Sequence, residues 1–285
     1  MQANVLLKTN MKTLFLLSSL IFLAYPLVRV KAFLPRISVG GGKSTSFDHA
    51  LITKRGFLKP LIYFFQDNPQ YLKEQHLTRF LLDILSSDSP NALEETVDNI
   101  TPQIKFLNAL STILSANAEV DSFPLSRSAS AHFDGEQFRQ GNARLIQLRQ
   151  ELITSLLQGD KLQHARNLAG TALHTLQDFY SHSNWIELGN SGPYGVLGKP
   201  GSEIRLEYIA GPTEATCENC EPGNCESNLI TLKLTSGYRS GQDVKKPENM
   251  GKCSHGGTLD ESRLKPATGG INKNTATAVE SPHAR

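Results

Sequence analysis

Residues 174–185 read His-Thr-Leu-Gln-Asp-Phe-Tyr-Ser-His-Ser-Asn-Trp, and this stretch decides both the fold and the candidate site. His174, Asp178 and His182 recur every four residues along a helical apolar pattern. Because an α-helix turns by about 100° per residue, each step of four drifts by only about 40°, and the three side chains share one face. Two imidazoles and a carboxylate are ligands of zinc or a similar divalent cation. The spacing therefore predicts a metal site.

The alternative is an ordinary amphipathic core helix. Leu173, Leu176, Phe179 and Ile186 supply an apolar face, and the histidines would line the polar side. That interpretation is adequate for a single histidine, since one hydrogen-bond partner satisfies it. Three possible ligands in series favour metal binding instead.

The composition is that of a folded protein. The chain has 285 residues, 39% hydrophobic and 20% charged, which suits one large or two small domains with a packed core. Its net charge is +2, and it has no basic run interleaved with aromatic residues, so nucleic acid is not an indicated partner.

The first 32 residues have the pattern of a secretory signal peptide. Lys8 and Lys12 precede an apolar run at residues 14–28, and Val30-Lys31-Ala32 offers small residues before a cleavage site. A retained transmembrane anchor is the alternative, but the apolar run is short and Pro26 interrupts it. We expect a secreted, extracellular protein whose mature chain starts near Phe33, with no retained transmembrane segment.

Apolar periodicity predicts a mainly α fold of five or six helices between residues 45 and 187. After Gly189, glycine, proline, serine and asparagine crowd the sequence, with strand-like runs only at residues 204–209 and 229–234. The expected organisation has five parts: signal peptide (1–32), linker (33–44), helical metal-binding domain (45–190), loop-rich extension containing the cysteines (191–265), and disordered or truncated tail (266–285).

Four cysteines, Cys217, Cys220, Cys225 and Cys253, lie in the loop-rich extension. In an exported chain they predict two disulfides, with three possible pairings, and a zinc knuckle is the alternative. Asn99-Ile100-Thr101 is a glycosylation sequon, so the chain is also a candidate glycoprotein.

Further metal ligands are expected near helix ends, where a rigid helical scaffold can present side chains to one cavity. His49 stands at a helix start, His132 precedes the long helical run from residue 138, and Asp121 lies in a predicted loop. His76 and His164 have no such neighbours and are interpreted as surface or core residues.

The stretch from Gln177 to Trp185, with the later segments 269–273 and 281–283, resembles a known family. This family comprises the N-terminal region of von Willebrand factor A domain-containing protein seven and relatives that share the fungal heterokaryon-incompatibility C (Het-C) region. The resemblance covers roughly residues 45–285. It implies that a von Willebrand A domain normally follows, and this chain contains no Asp-x-Ser-x-Ser metal motif of such a domain.

More distantly, the chain is similar to zinc-dependent phospholipases C and single-strand nucleases. Four elements match in order: His49-Ala50-Leu51-Ile52, then Asp121, then His132-Phe133, then His174 with Asp178. The similarity implies a multi-helix zinc phospholipase C-like domain with one to three zinc ions. It also implies that five of these residues are ligands: His49, Asp121, His132, His174 and Asp178.

The match also departs from the enzymes. Their next histidine, six residues after the aspartate, is Asn184 here, and His182 is offered instead. Their N-terminal amine ligand has no close counterpart, since Phe33 lies sixteen residues before His49. Their later His-x-x-x-Glu pair has no match, and His283 and Glu187 are the substitutes to consider.

Two functions follow as hypotheses. The favoured one is a zinc-binding extracellular module, structural or binding, whose partner is an extracellular protein or a phospholipid. The alternative is a zinc-dependent phosphodiesterase or phospholipase C-like hydrolase, in which Asp121 bridges metals or orients the attacking water.

Overall fold

The computed structural model describes residues 48–68, 101–221, 225, 227–257 and 259–273. Several predicted features lie outside these ranges: the signal peptide, the linker, the helical run at residues 77–84, the sequon at Asn99, His76 and His283.

The described part of the chain contains four α-helices, which confirms a mainly helical fold. They are α1 (His49–Asp67), α2 (Thr101–Glu119), α3 (Phe138–Gln158) and α4 (Leu162–His182). The expected five or six helices included a segment beyond the described ranges. Among the described residues, no helix is both long and apolar enough to cross a membrane.

The helix ends follow local capping rules. Asp48 precedes α1, and its Oδ1 accepts a hydrogen bond from the Leu51 amide at 2.6 Å, which makes His49 the first helical residue. Helix α3 ends at Gly159, whose φ of 73° lies in the left-handed region where glycine is favoured. A short connection then starts α4, so that α3 and α4 pack against each other.

Helix α4 is the centre of the helical region because it contacts α1, α2 and α3. Its small buried residues Ala165, Ala169 and Ala172 allow close packing. At Gly170 a Cβ would collide with the Ile113 carbonyl oxygen of α2, so only glycine permits this approach of the two helices. The most constrained helix therefore carries the His-Asp-His face.

The residues after α4 are fastened to its C-terminal end. Asn184 receives a hydrogen bond from the Thr235 amide and donates one to the Lys233 carbonyl, both at 2.8 Å. The amides of Gly237 and Lys273 donate to the carbonyl oxygens of His182 and Ser181, each at 3.1 Å. The main hydrophobic core accordingly combines residues of both regions: Phe133, Phe138, Leu145, Ala172, Phe179, Leu197, Ile204 and Leu234.

Two predictions for this region need correction. The strand-like runs at 204–209 and 229–234 form only isolated bridges, such as Ile209 with Leu234, and residues Leu206–Tyr208 form a 3-10 turn. The tail at 266–285 is not disordered throughout, since Ile271 and Lys273 are buried against the rest of the protein. The glycines that precede Ile271 allow this close approach, because a Cβ at Gly270 would meet the backbone of Gly256 at 2.5 Å.

The four cysteines form two disulfides, Cys217–Cys253 and Cys220–Cys225. This confirms the predicted disulfides, selects one of the three possible pairings and excludes the zinc knuckle. The bonds fasten the loop-rich region, whose described part has few regular elements.

Candidate metal centre

The predicted face of α4 is buried, and Asp178 lies at its centre. His174 is fully buried, Asp178 is 1% exposed and His182 is 7% exposed. The Asp178 carboxylate is approached by four imidazoles, those of His49, His132, His174 and His182.

The tightest group is formed by His132, His174 and Asp178. Asp178 Oδ2 lies 2.7 Å from His132 Nδ1 and 3.0 Å from His174 Nε2. The two ring nitrogens are 3.3 Å apart. A tetrahedral zinc ion with bonds of about 2.0–2.1 Å holds its ligand atoms about 3.3–3.4 Å from one another. The two ring nitrogens therefore have the spacing of neighbouring ligands, whereas the carboxylate oxygen lies closer to both, at hydrogen-bond distance.

Two further predicted residues lie at the edge of this group. His49 Nε2 is 3.2 Å from Asp178 Oδ1, and the His49 ring stacks on His174 with centroids 4.2 Å apart. Asp121 Oδ1 is 3.6 Å from His174 Nε2, and its side chain is 36% exposed. Asp121 is thus the most exposed of the predicted ligands.

Gln177, on α4, orients His49. Its Oε1 lies 2.7 Å from His49 Nδ1, while its Nε2 donates to Thr53 Oγ1 at 2.9 Å. An amide oxygen only accepts, so His49 Nδ1 carries a proton, and Nε2 is the ring nitrogen that faces Asp178. Such a second hydrogen bond is what fixes the ring of a metal-ligating histidine.

A sharply turned segment brings His132 to the site. Phe133, Gly135 and Glu136 have φ values of 54°, 58° and 60°, and Phe133 enters the core against Phe179. Glu136 is held by Lys252, whose Nζ lies 2.9 Å from both carboxylate oxygens. The C-terminal region, by which we mean the described residues after α4 (from residue 183 to residue 273), therefore holds in place the turn that carries His132.

A second cluster adjoins the first. Asp134, His182 and His255 are all buried, with one possible ligand atom from each lying within 4.8 Å of those of the others. His182 Nδ1 is 3.1 Å from Asp134 Oδ1, and the Nε2 atoms of His182 and His255 are 3.3 Å apart. His182, expected in the first group, joins the two clusters, since its Nε2 is 3.6 Å from Asp178 Oδ1.

The electrostatics favour an ionised carboxylate at the centre. Burial opposes the charge of Asp178, but the imidazoles of His182, His174 and His49 hold its pKa well below the ordinary value. Burial lowers the pKa of His174 and favours its neutral form. Burial also acts to lower the pKa of His49, but Asp178, Asp121 and Gln177 together raise it above the ordinary value. Asp178 and neutral His174 have the protonation states that metal ligands require.

Two buried ring nitrogens have no hydrogen-bond partner among the described residues: His132 Nε2 and His174 Nδ1. An unpaired buried polar group is costly, and native proteins have few of them. The second hydrogen bond that usually fixes a metal-ligating histidine is therefore not seen for these two rings among the described residues. Their other ring nitrogens face Asp178 and each other.

The remaining predicted positions have other roles. His164 is exposed on α4, in agreement with its interpretation as a surface or core residue. Glu187 pairs with Lys273 at 3.0 Å, and Asn184 makes backbone contacts rather than joining the cluster.

Asp134 and His255 belong to the second cluster but were not among the ligands predicted from the sequence. Asp134 lies two residues after His132, but the left-handed turn between them is not visible as a periodicity. His255 comes two residues after Cys253, and only the tertiary packing of the disulfide-bonded region places it beside His182.

These observations define a mainly helical, disulfide-bonded protein with buried histidine–aspartate clusters that could hold a metal ion. A family model described as the VWA7 N-terminal domain matches residues 89–285, and the chain belongs to this family.

The chain is similar to von Willebrand factor A domain-containing protein 7 from three mammals. It is 43% identical to the human protein over 183 residues, which are 63% of this chain and 20% of that protein. For the rat protein the identity is 44% over 185 residues, covering 64% and 20% of the two chains. The chain thus spans about a fifth of the length of these curated relatives. No solved structure matches it significantly.

Proposed function

We propose that this chain is a secreted, extracellular zinc-binding module whose ion is held by His132, His174 and Asp178. The observation that carries the proposal is the convergence of two imidazole nitrogens on one carboxylate oxygen, at 2.7 and 3.0 Å. A mixed set of nitrogen and oxygen ligands suits zinc better than magnesium or calcium, which prefer oxygen ligands.

Burial favours a structural rather than a catalytic role. The three principal ligands are each no more than 1% exposed, and they connect α4 to the turn before α3. An ion there would link two parts of the fold, and its binding free energy would add to the stability of the protein. A closed site of this kind needs no open coordination position.

The two disulfides indicate an oxidising compartment. Secretion is the compartment we propose, because the sequence begins with a signal-peptide pattern. By analogy with its relatives, which are named for a von Willebrand factor A domain, we propose an extracellular protein or a phospholipid surface as the partner.

The test is elemental analysis of the protein purified from culture medium. We expect bound zinc in the wild type. In a His174→Ala, Asp178→Ala double variant, we expect loss of the ion held by His132, His174 and Asp178. His164→Ala is the matched control, because His164 lies exposed on the same helix. A folded wild-type protein without zinc, or a double variant with unchanged zinc content, would refute the proposal.

The second candidate is a zinc-dependent phosphodiesterase with a phospholipase C-like fold. One observation favours it: Asp121 Oδ1 lies 3.6 Å from His174 Nε2, and its side chain is 36% exposed. When bound, zinc would supply a Lewis acid for a phosphate group. The carboxylate of Asp121 could then accept a proton from the attacking water.

Hydrolysis of bis-p-nitrophenyl phosphate and of phosphatidylcholine vesicles tests this candidate. The hydrolase hypothesis expects turnover that EDTA abolishes, zinc restores, and Asp121→Asn reduces by ~10²-fold or more. Zinc-loaded wild-type protein without turnover of either substrate would exclude hydrolysis of these phosphodiesters and leave the structural module.

A further inference from the structure

The second cluster contains two imidazole lone pairs that face each other. His255 Nδ1 lies 2.7 Å from the Gly256 carbonyl oxygen. A carbonyl only accepts, so Nδ1 carries the proton and Nε2 presents its lone pair. The Asn272 amide also faces this nitrogen, with Nδ2 at 3.2 Å, and rotation of the amide would present its oxygen instead.

The same reasoning applies to His182. Its Nδ1 lies 3.0 Å from the His132 carbonyl oxygen and 3.1 Å from Asp134 Oδ1, and both of these atoms accept. The proton is therefore on Nδ1, and the lone pair of Nε2 is directed to His255 Nε2 at 3.3 Å.

Two lone pairs at this distance repel unless a positive charge lies between them. One solution is a proton on His182, whose pKa is raised to about 9 because Asp178 and Asp134 outweigh burial, while burial lowers that of His255 to about 4. The other solution is a divalent cation. The separation of 3.3 Å equals that of adjacent ligands in a tetrahedral site, where bonds are about 2.0–2.1 Å.

A carboxylate oxygen lies near each ring nitrogen of His182. Asp178 Oδ1 is 3.6 Å from His182 Nε2. Asp134 is fully buried, and the Gln242 amide donates to its Oδ2 at 2.8 Å, which leaves Oδ1 directed at His182. A carboxylate behind a histidine is the usual arrangement at metal sites, where it fixes the ring and increases its basicity.

We infer that His182 and His255 bind a second divalent cation through their Nε2 atoms, with Asp134 as the group that orients His182. This site goes beyond the proposed function, because the first ion requires neither His255 nor Asp134. It also gives the C-terminal region a role in metal binding, since His255 is supplied from beside the Cys217–Cys253 disulfide.

The experiment is a titration of metal-free, full-length secreted protein with Co²⁺, followed by visible absorption. We expect two ions per wild-type chain, one per chain in His255→Gln, and one in His174→Gln. Asp134→Asn should weaken the binding of one Co²⁺ ion, the one held by His182 and His255, by about 10- to 100-fold, as expected for a group that orients a ligand. His164→Gln should bind as the wild type does.

The outcomes separate the two sites. A wild type that binds a single Co²⁺, unchanged in His255→Gln and Asp134→Asn, would overturn the inference and leave a shared proton between the two rings. Loss of one ion in His255→Gln but none in His174→Gln would support the second site while refuting the first. If His255→Gln does not fold, Asp134→Asn decides the question, because it keeps the shape of the side chain.

Discussion

The helical region and the C-terminal region supply site residues in different ways. On α4, His174, Asp178 and His182 are aligned by helix geometry, so their proximity follows from their spacing. In the C-terminal region, His255 reaches the site because a disulfide and backbone hydrogen bonds hold an irregular segment in place. Helical ligands can thus be recognised locally, whereas ligands on irregular segments depend on contacts far away in sequence.

The first prediction concerns the Cys217–Cys253 disulfide, which two serine substitutions would remove. This disulfide joins cysteines separated by 36 residues, so from loop-closure entropy we expect its removal to lower the unfolding free energy by about 4 kcal/mol. Cys220–Cys225 spans only 5 residues, so its removal should cost about 2 kcal/mol. Denaturant unfolding measures both.

The variant that lacks the Cys217–Cys253 disulfide also tests whether this bond positions His255. Co²⁺ binding at the second site should weaken more than binding at the first. Equal weakening of the two sites would mean that the regions do not differ as described.

The second prediction concerns the ion pair between Lys252 in the C-terminal region and Glu136 in the turn before α3. Lys252 and Glu136 are both buried, and Lys252→Met leaves the carboxylate without its cation. We expect a loss of about 3 kcal/mol in the unfolding free energy, the lower end for breaking a buried pair. Thermal and denaturant unfolding would show it, and a loss below about 1 kcal/mol would contradict the role given to this pair.

The third prediction concerns the helical region alone. Gly170→Ala places a Cβ against the α2 backbone, and the resulting overpacking should cost about 2 kcal/mol. Gly56→Ala on α1 is the matched control, because a Cβ there meets nothing within 4 Å, and it should stabilise by up to about 1 kcal/mol. If both variants were equally stable, the tight contact of α2 and α4 would be refuted.

The fourth prediction concerns pH and the C-terminal region alone. Lys246 donates to Ser254 Oγ and to the carbonyl oxygens of Ser262, Lys265 and Ala267. Burial lowers its pKa to about 8, with Asp260 acting against this shift and Lys265 adding to it.

Because the unfolded chain keeps the ordinary, higher lysine pKa, it binds more protons than the folded protein above about pH 8. The contribution of Lys246 to stability should therefore rise with pH from about 8 to about 10.5. Unfolding measured across this range should show a steeper rise in the wild type than in Lys246→Met, which keeps the contribution of other groups such as Lys273. A slope of the opposite sign would contradict the lowered pKa.

The sequence allowed much of the helical region to be predicted. Apolar periodicity predicted helices in the region that contains the four described helices. The six proposed ligands came partly from helix spacing and partly from the family resemblance. All of them lie in or beside the Asp178 cluster.

The C-terminal region was less predictable for physical reasons. The run at residues 204–209 has strand-like composition, but strand pairing requires a partner, and only isolated bridges form in the described chain. The tail at residues 266–273 lacks periodicity, yet it is buried because glycines allow backbone contact and Lys273 pairs with Glu187. Asp134 and His255 were missed for the same reason, since no local pattern encodes their positions.

The most direct test of the central claim, a zinc ion on His132, His174 and Asp178, is zinc X-ray absorption on the secreted protein. We predict a coordination shell of nitrogen and oxygen atoms only, at about 2.0–2.1 Å, with the multiple scattering of imidazole rings. That signal should fall in His174→Ala and persist in His164→Ala. Sulfur ligands at about 2.3 Å, or folded protein that contains no zinc, would contradict the account.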